Sequence, residues 1–236
     1  MDKQNIYIVD SFTNTVPGRI IKWRSSLKFW NRYDGDCYSH TSLSRDKKLG
    51  NMMSLARREI NNPLNCGFIK EDIRKDVFAL NKDESNIAVM ELPVSLEQYK
   101  KISNLMDYYW THRDEYSYNF IGVISMIMFG RGIAPKNSFF CSQWVAQVLK
   151  DSNVDIFYDY RNRNPEDIPP FLFYMVLKDK IIYEGPVLEY PYYNDLEYPG
   201  YVEDDKSKIL IKDRQYSFDK RGIDDYARTK NTWYIL

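Results

Sequence analysis

The sequence predicts an α+β domain, in which strands and helices fall in blocks instead of alternating. Three observations carry that expectation. Residues 6 to 94 hold runs of β-branched and aromatic residues, broken by Gly, Asn and Asp, that read as a strand and a β-hairpin region. Stretches of helical periodicity dominate residues 95 to 151. A last run, "KIIYEGPVLEY", then reads as a strand ending in a turn.

Taken in order, "IYIVDSF" (6 to 12) has the composition of a buried strand. Val16, Ile20, Trp23, Leu27 and Trp30 recur at helical spacing and predict an amphipathic helix. "CYSHTSLSR" (37 to 45) and "LGNMMSLARRE" (49 to 59) predict two strands joined by a short loop at "DKK". The Asn, Pro and Gly of "NNPLNCGF" (61 to 68) predict a loop. "SNIAVMELPV" (85 to 94) predicts a strand, and Ser95 is placed to cap a helix over 95 to 110. A second, very apolar helix is expected over 119 to 130. "RGIAPKN" predicts a loop and "FFCSQWVAQVLKD" a third helix. "RNPEDIPPFLF" reads as a loop around its prolines. Residues 1–190 are expected to form one domain. Residues 191–236, rich in Tyr, Asp, Lys and Pro with little periodicity, form a C-terminal appendage.

Bulk properties narrow the function classes. The 33 basic and 33 acidic residues balance, so no global charge argues for nucleic acid or an anionic membrane. The three cysteines, Cys37, Cys66 and Cys141, make no disulfide framework, and no Cys/His spacing suggests zinc. A reducing compartment follows as the default. The opening "MDKQNIYIVDSF" lacks the pattern of a signal peptide. The most apolar run, "FIGVISMIMFG", is too short to span a bilayer and reads as a buried helix.

One cysteine stands where chemistry could use it. Cys141, Trp144, Val145, Val148 and Leu149 share one helical face. With Asn137 or Ser138 as the cap, Cys141 lies in the first turn. There the unpaired backbone N–H groups and the helix dipole favour a thiolate and could hold an oxyanion. The plainer reading is a small buried hydrophobe, a common fate of free cysteine. His40 shifts the balance. It lies mid-strand with Tyr38, Ser42 and Ser44 on its face, a polar stripe unusual near a core. A hairpin loop at Asp46 to Lys48 puts Ser54 opposite His40, where its hydroxyl could orient the imidazole. A loop centred on Leu49 and Gly50 brings Arg57 opposite instead, and Arg cannot accept a hydrogen bond. His112, at the end of a helix, receives no role.

Together these residues resemble the NlpC/P60-like thiol hydrolases, in the permuted papain-like branch that includes the YiiX-type and lecithin:retinol-acyltransferase-like proteins. The order carries the resemblance: "YSHTSLS" precedes "FFCSQWVAQVL", whereas in unpermuted members the Cys helix comes first. "IYIV", "MMSLARREINNPLNCGFIKEDI" and "YSYNFIGV" are similar to segments of bacterial and phage proteins of this branch. The likeness spans about residues 5 to 185.

The resemblance implies a permuted NlpC/P60 fold, with an antiparallel sheet packed against a Cys-bearing helix. It makes Cys141 the nucleophile, His40 the base and Ser54 the third polar residue, and Cys66 is read as structural. It implies a cysteine peptidase or amidase that acts on an amide or ester without metal or cofactor. The expected partner is a peptide or acyl substrate, with cell-wall peptide first and a lipid ester or acyl chain next. No nucleic acid and no transmembrane segment are expected. The location implied is cytoplasmic, or virion-associated for a phage protein. From a different class comes a catalytically silent papain-like module used for binding or virion assembly.

Overall fold

A computed structural model of the chain describes residues 3–12, 38–59, 62–75, 78, 85–160 and 163–194, the side chains at 63 and 127 excepted. The helix expected over 16 to 30, Cys37, and the appendage beyond 194 lie outside the described residues.

The architecture is α+β. Six strands form one antiparallel sheet. They are β1 (Lys3–Phe12), β2 (His40–Ser44), β3 (Met52–Glu59), β4 (Asn62–Glu71), β5 (Asn86–Ser95) and, after two short strands, β8 (Ile181–Pro186). Their order across the sheet is β4-β3-β2-β1-β5-β8. The short strands, β6 (Ser117–Tyr118) and β7 (Ser138–Phe139), pair in parallel. Four helices complete the described part: α1 (Leu96–Thr111), α2 (Phe120–Phe129), α3 (Cys141–Asp151) and α4 (Pro170–Val176).

Strand β1 pairs with β5 along its whole length, from Lys3 opposite Ser95 to Phe12 opposite Asn86. Both faces of this central pair are covered, which explains why "IYIV" and "IAVM" are apolar without alternation. On one face Ile6, Ile8, Leu43, Leu55, Phe68 and Met90 pack under α3 and α1. On the other, Tyr7, Val9, Met52, Ile87 and Val89 gather with Ile73, Phe78, Val187 and Tyr190. Each such side chain contributes about 1.5–3 kcal/mol when removed from water. Tyr192 and Tyr193 pack against this second cluster, so the start of the appendage is attached to the domain.

The observed elements differ from the expected ones at four places, each for a physical reason. Within the stretch expected to be a loop, residues 62 to 68 lie in β4. β4 is an edge strand, where a proline and a glycine cost few ladder bonds. Residues 170 to 176 form a helix, because Pro170 stands at its first position, where the missing N–H costs nothing. Helix α3 begins at Cys141, later than a cap at Asn137 or Ser138 implies, because Ser138 and Phe139 are held in β7. Helix α2 is not buried: Ile121, Ile124 and Phe129 are exposed. The Ser95 cap, by contrast, is as expected: its hydroxyl accepts from the Gln98 N–H, and the Gln98 side chain answers the Ser95 N–H.

Candidate active site

The hairpin between β2 and β3 sets the geometry. Asp46 accepts hydrogen bonds from the Gly50 and Asn51 N–H groups. Leu49, not Gly50, takes the left-handed conformation, at φ 61°. This turn places Leu43 opposite Met53. The antiparallel register then puts Ser54 across from Ser42, two residues away from the position opposite His40.

His40 therefore finds a different partner. Its Nε2 lies 2.7 Å from Oε1 of Glu71, the last residue of β4. A carboxylate only accepts, so Nε2 carries the proton and Nδ1 is the basic nitrogen of the neutral ring. The Ser42 hydroxyl donates to the second carboxylate oxygen, Oε2, and lies 3.2 Å from Nε2. Glu71 is fully buried, while 15% of the His40 side chain still reaches solvent. Ser54 is buried and its hydroxyl makes no well-formed hydrogen bond, although it lies near enough to Glu71 to favour the carboxylate. The residue that orients His40 is thus Glu71, and the Ser54 expectation is corrected. Arg57 instead faces Cys66 across β3 and β4.

Charge is held in this pair against burial. Desolvation disfavours the Glu71 carboxylate, but the His40 charge and the bonds from His40 and Ser42 outweigh it and lower its pKa. Desolvation likewise opposes the imidazolium. The Glu71 carboxylate and the nearby Cys141 sulfur reverse that and raise the His40 pKa well above 6.5.

Cys141 is thus within hydrogen-bonding reach of His40. It is the first residue of α3 and 5% exposed. Phe140 occupies the cap position and offers no side-chain acceptor. The helix start is secured otherwise. Gln143 accepts from the Phe140 N–H at 3.2 Å and from the Asn119 amide at 3.1 Å. The Ser142 hydroxyl donates to the Ile168 carbonyl at 2.7 Å. Trp144, Val145 and Val148 anchor the helix in the core below. The sulfur is thereby fixed at the positive end of α3.

Tyr118 completes the surroundings. It stands opposite Phe139 in the β6–β7 pair. Burial first, then the neighbouring Cys141 and Cys66 sulfurs, raise its pKa well above 10. Its hydroxyl therefore stays protonated. Burial pushes the Cys66 thiol up to about 11, which makes it a poor nucleophile. His112 follows the last residue of α1, stacked on Tyr108 and bonded to its carbonyl.

Sequence reasoning missed Glu71 and Tyr118. Reading 61 to 68 as a loop hid the strand that carries Glu71. The fragment "YSYNFIGV" held the only hint of Tyr118. Among the described residues no cluster of His, Cys, Asp and Glu is grouped to hold a metal ion. No helix among them is long and apolar enough to cross a membrane. No family model, curated protein or solved structure matches the chain.

Proposed function

We propose that the protein is a cysteine-dependent hydrolase of amides or esters, with Cys141 as nucleophile, His40 as base and Glu71 as the orienting acid. The observation that carries this reading is the convergence of the Cys141 sulfur on His40, whose Nε2 lies 2.7 Å from the Glu71 carboxylate. Three segments far apart in sequence meet there, and the thiol sits at a helix N-terminus. The His-bearing strand precedes the Cys-bearing helix, and that helix packs on an antiparallel sheet. Both features support a permuted NlpC/P60-like fold.

The chemistry follows from the geometry. Glu71 holds the Nε2–H, so Nδ1 takes the thiol proton. The thiolate adds to the substrate carbonyl and forms a C–S bond. The oxygen becomes an anion, held by the free N–H groups at the start of α3 and by the Tyr118 O–H. Imidazolium then gives its proton to the leaving amine or alcohol as the C–N or C–O bond breaks. Water, deprotonated by His40, releases the acid and the thiol from the thioester. Peptide bonds of the cell-wall kind are the first substrate class, by analogy alone.

Alkylation rates test the proposal. Near neutral pH, Cys141 should react with iodoacetamide faster than Cys66 and faster than a model thiol. His40→Ala should slow it by about 10²-fold or more, on the scale of lost base assistance. Cys141→Ser should remove the mass of any acyl adduct formed with an activated ester while thermal stability stays nearly the same. A Cys141 that reacts like a model thiol and ignores the loss of His40 would sink the enzyme and leave a silent papain-like module.

A further inference from the structure

Helix α2 is the most apolar segment of the described chain, yet it turns much of that surface outward. Phe120, Ile121, Ile124, Met128 and Phe129 are between 41% and 74% exposed, and Ile133 in the loop beyond is 50% exposed. Residues 121, 124 and 128 lie on one helical face. A contiguous apolar surface of this kind is rare on a protein that touches only water.

The helix does not depend on that face for its stability. Asn119 caps it by accepting from the Gly122 N–H at 2.8 Å, and Gly130 closes it in the left-handed conformation at φ 71°. Ser125 and Met126, on the inner side, are buried. The outward apolar residues therefore call for a reason other than folding.

Charge indicates what they meet. From Tyr116 to Asn137 the chain carries no acid and two cations, Arg131 and Lys136, both exposed just past the C-terminal end of α2. Acids lie at its borders: Asp114 and Glu115 precede the stretch, the Glu166 backbone abuts Gly132, and the Asp167 carboxylate is held by the Gly132 N–H. An apolar face edged by exposed cations matches an anionic lipid surface, which takes up aliphatic and aromatic side chains and attracts Lys and Arg.

We infer that the α2 face and the loop through Lys136 dock the protein onto an anionic membrane surface. Docking there holds the candidate active site beside the bilayer. The Asn119 side chain that caps α2 also bonds Gln143 in the first turn of α3, which begins with Cys141. The inference concerns a surface and does not need Cys141 to react.

Vesicle co-sedimentation of the full chain tests it, using phosphatidylcholine vesicles with and without phosphatidylserine. Binding is expected to the mixed vesicles and to weaken with salt. Ile124→Glu should weaken it by about tenfold or more, the scale of one buried aliphatic side chain. Arg131→Gln and Lys136→Gln should each weaken it by about fivefold. Cys141→Ser should bind as the unaltered protein does, which separates this result from any failure of the proposed chemistry. All four positions are at a surface or a helix end, and unchanged melting curves would show that the variants fold. No sedimentation with phosphatidylserine vesicles overturns the inference, as does binding indifferent to Ile124→Glu. A concentration-dependent dimer lost in Ile124→Glu, without vesicle binding, would identify a second copy as the occupant instead.

Discussion

Helices α2 and α3 both follow a strand of the same two-stranded ribbon, and one hydrogen bond, from Asn119 to Gln143, ties their starts together. Their fates are opposite. α2 is almost wholly apolar, and half of it faces outward. α3 carries Ser, Gln, Lys and Asp, yet Cys141 to Ala146, Val148 and Leu149 are buried. Average hydrophobicity therefore does not decide which helix enters the core. Periodicity and position do. α3 has a single apolar stripe that fits over β2 and β3, and its buried Ser142 and Gln143 side chains each find a partner near the helix start. α2 offers apolar surface all round, and the fold has room for only one side of it.

Emptying the core under α3 should have the largest effect. Trp144 is fully buried against Phe68 and Tyr109. Trp144→Ala should cost about 3–5 kcal/mol in denaturant unfolding, the range for a large aromatic truncated in a core. A loss below ~1 kcal/mol would mean that α3 is not the helix that organises the sheet.

A smaller effect should come from Glu71→Gln, which keeps the shape but removes the charge. Its loss should be about 1.5–3 kcal/mol, the scale of a hydrogen bond to a charged group. The His40 ring, followed by NMR, should then titrate at lower pH than in the unaltered protein, because burial remains while the carboxylate that opposes it is gone. Cys141 alkylation should slow in parallel.

The His40 pKa is raised above 6.5, so its stabilisation is complete below that value and fades as pH rises through the folded-state pKa. The Glu71 pKa is lowered below 4.5, so its stabilisation is complete above that value and fades as pH falls through the folded-state pKa. The pair contributes most between about 4.5 and 6.5, and Glu71→Gln should flatten this part of the stability profile. An unchanged profile would mean that the charges do not stabilise the fold.

The smallest effect is expected on the outer face of α2. Ile124→Ser should change stability in water by less than about 0.5 kcal/mol, as for other surface positions away from special features. A loss of several times that size would show Ile124 to be packed within the protein, and would end the contrast between the two helices.

Much of the fold was legible locally. The apolar run of β1, the Ser95 cap, the amphipathic stripe of α3 and the turn residues around Asp46 are nearest-neighbour properties, and each acts through backbone bonds or side chains a few residues away. Cys141 could also be singled out alone, because a thiol in the first turn of a helix is a local fact. The partner of His40 could not. Whether Ser54, Arg57 or Glu71 meets the imidazole depends on a hairpin register set by Leu49 in a left-handed turn, and on an edge strand whose Pro63 and Gly67 imitate a loop. A shift of one residue in a strand reverses every side chain, so small uncertainty in the turn erases the site.

Local sequence set β1, β5, the capped start of α1 and the stripe of α3, and it marked Cys141 near a helix start and His40 on an earlier strand. Long-range packing set the rest: that β4 and 170–176 are a strand and a helix, that Glu71 closes on His40, and that α2 rather than α3 is left facing outward. Those outcomes depend on which distant segments compete for the same sheet face and the same buried space, and no local pattern encodes that competition.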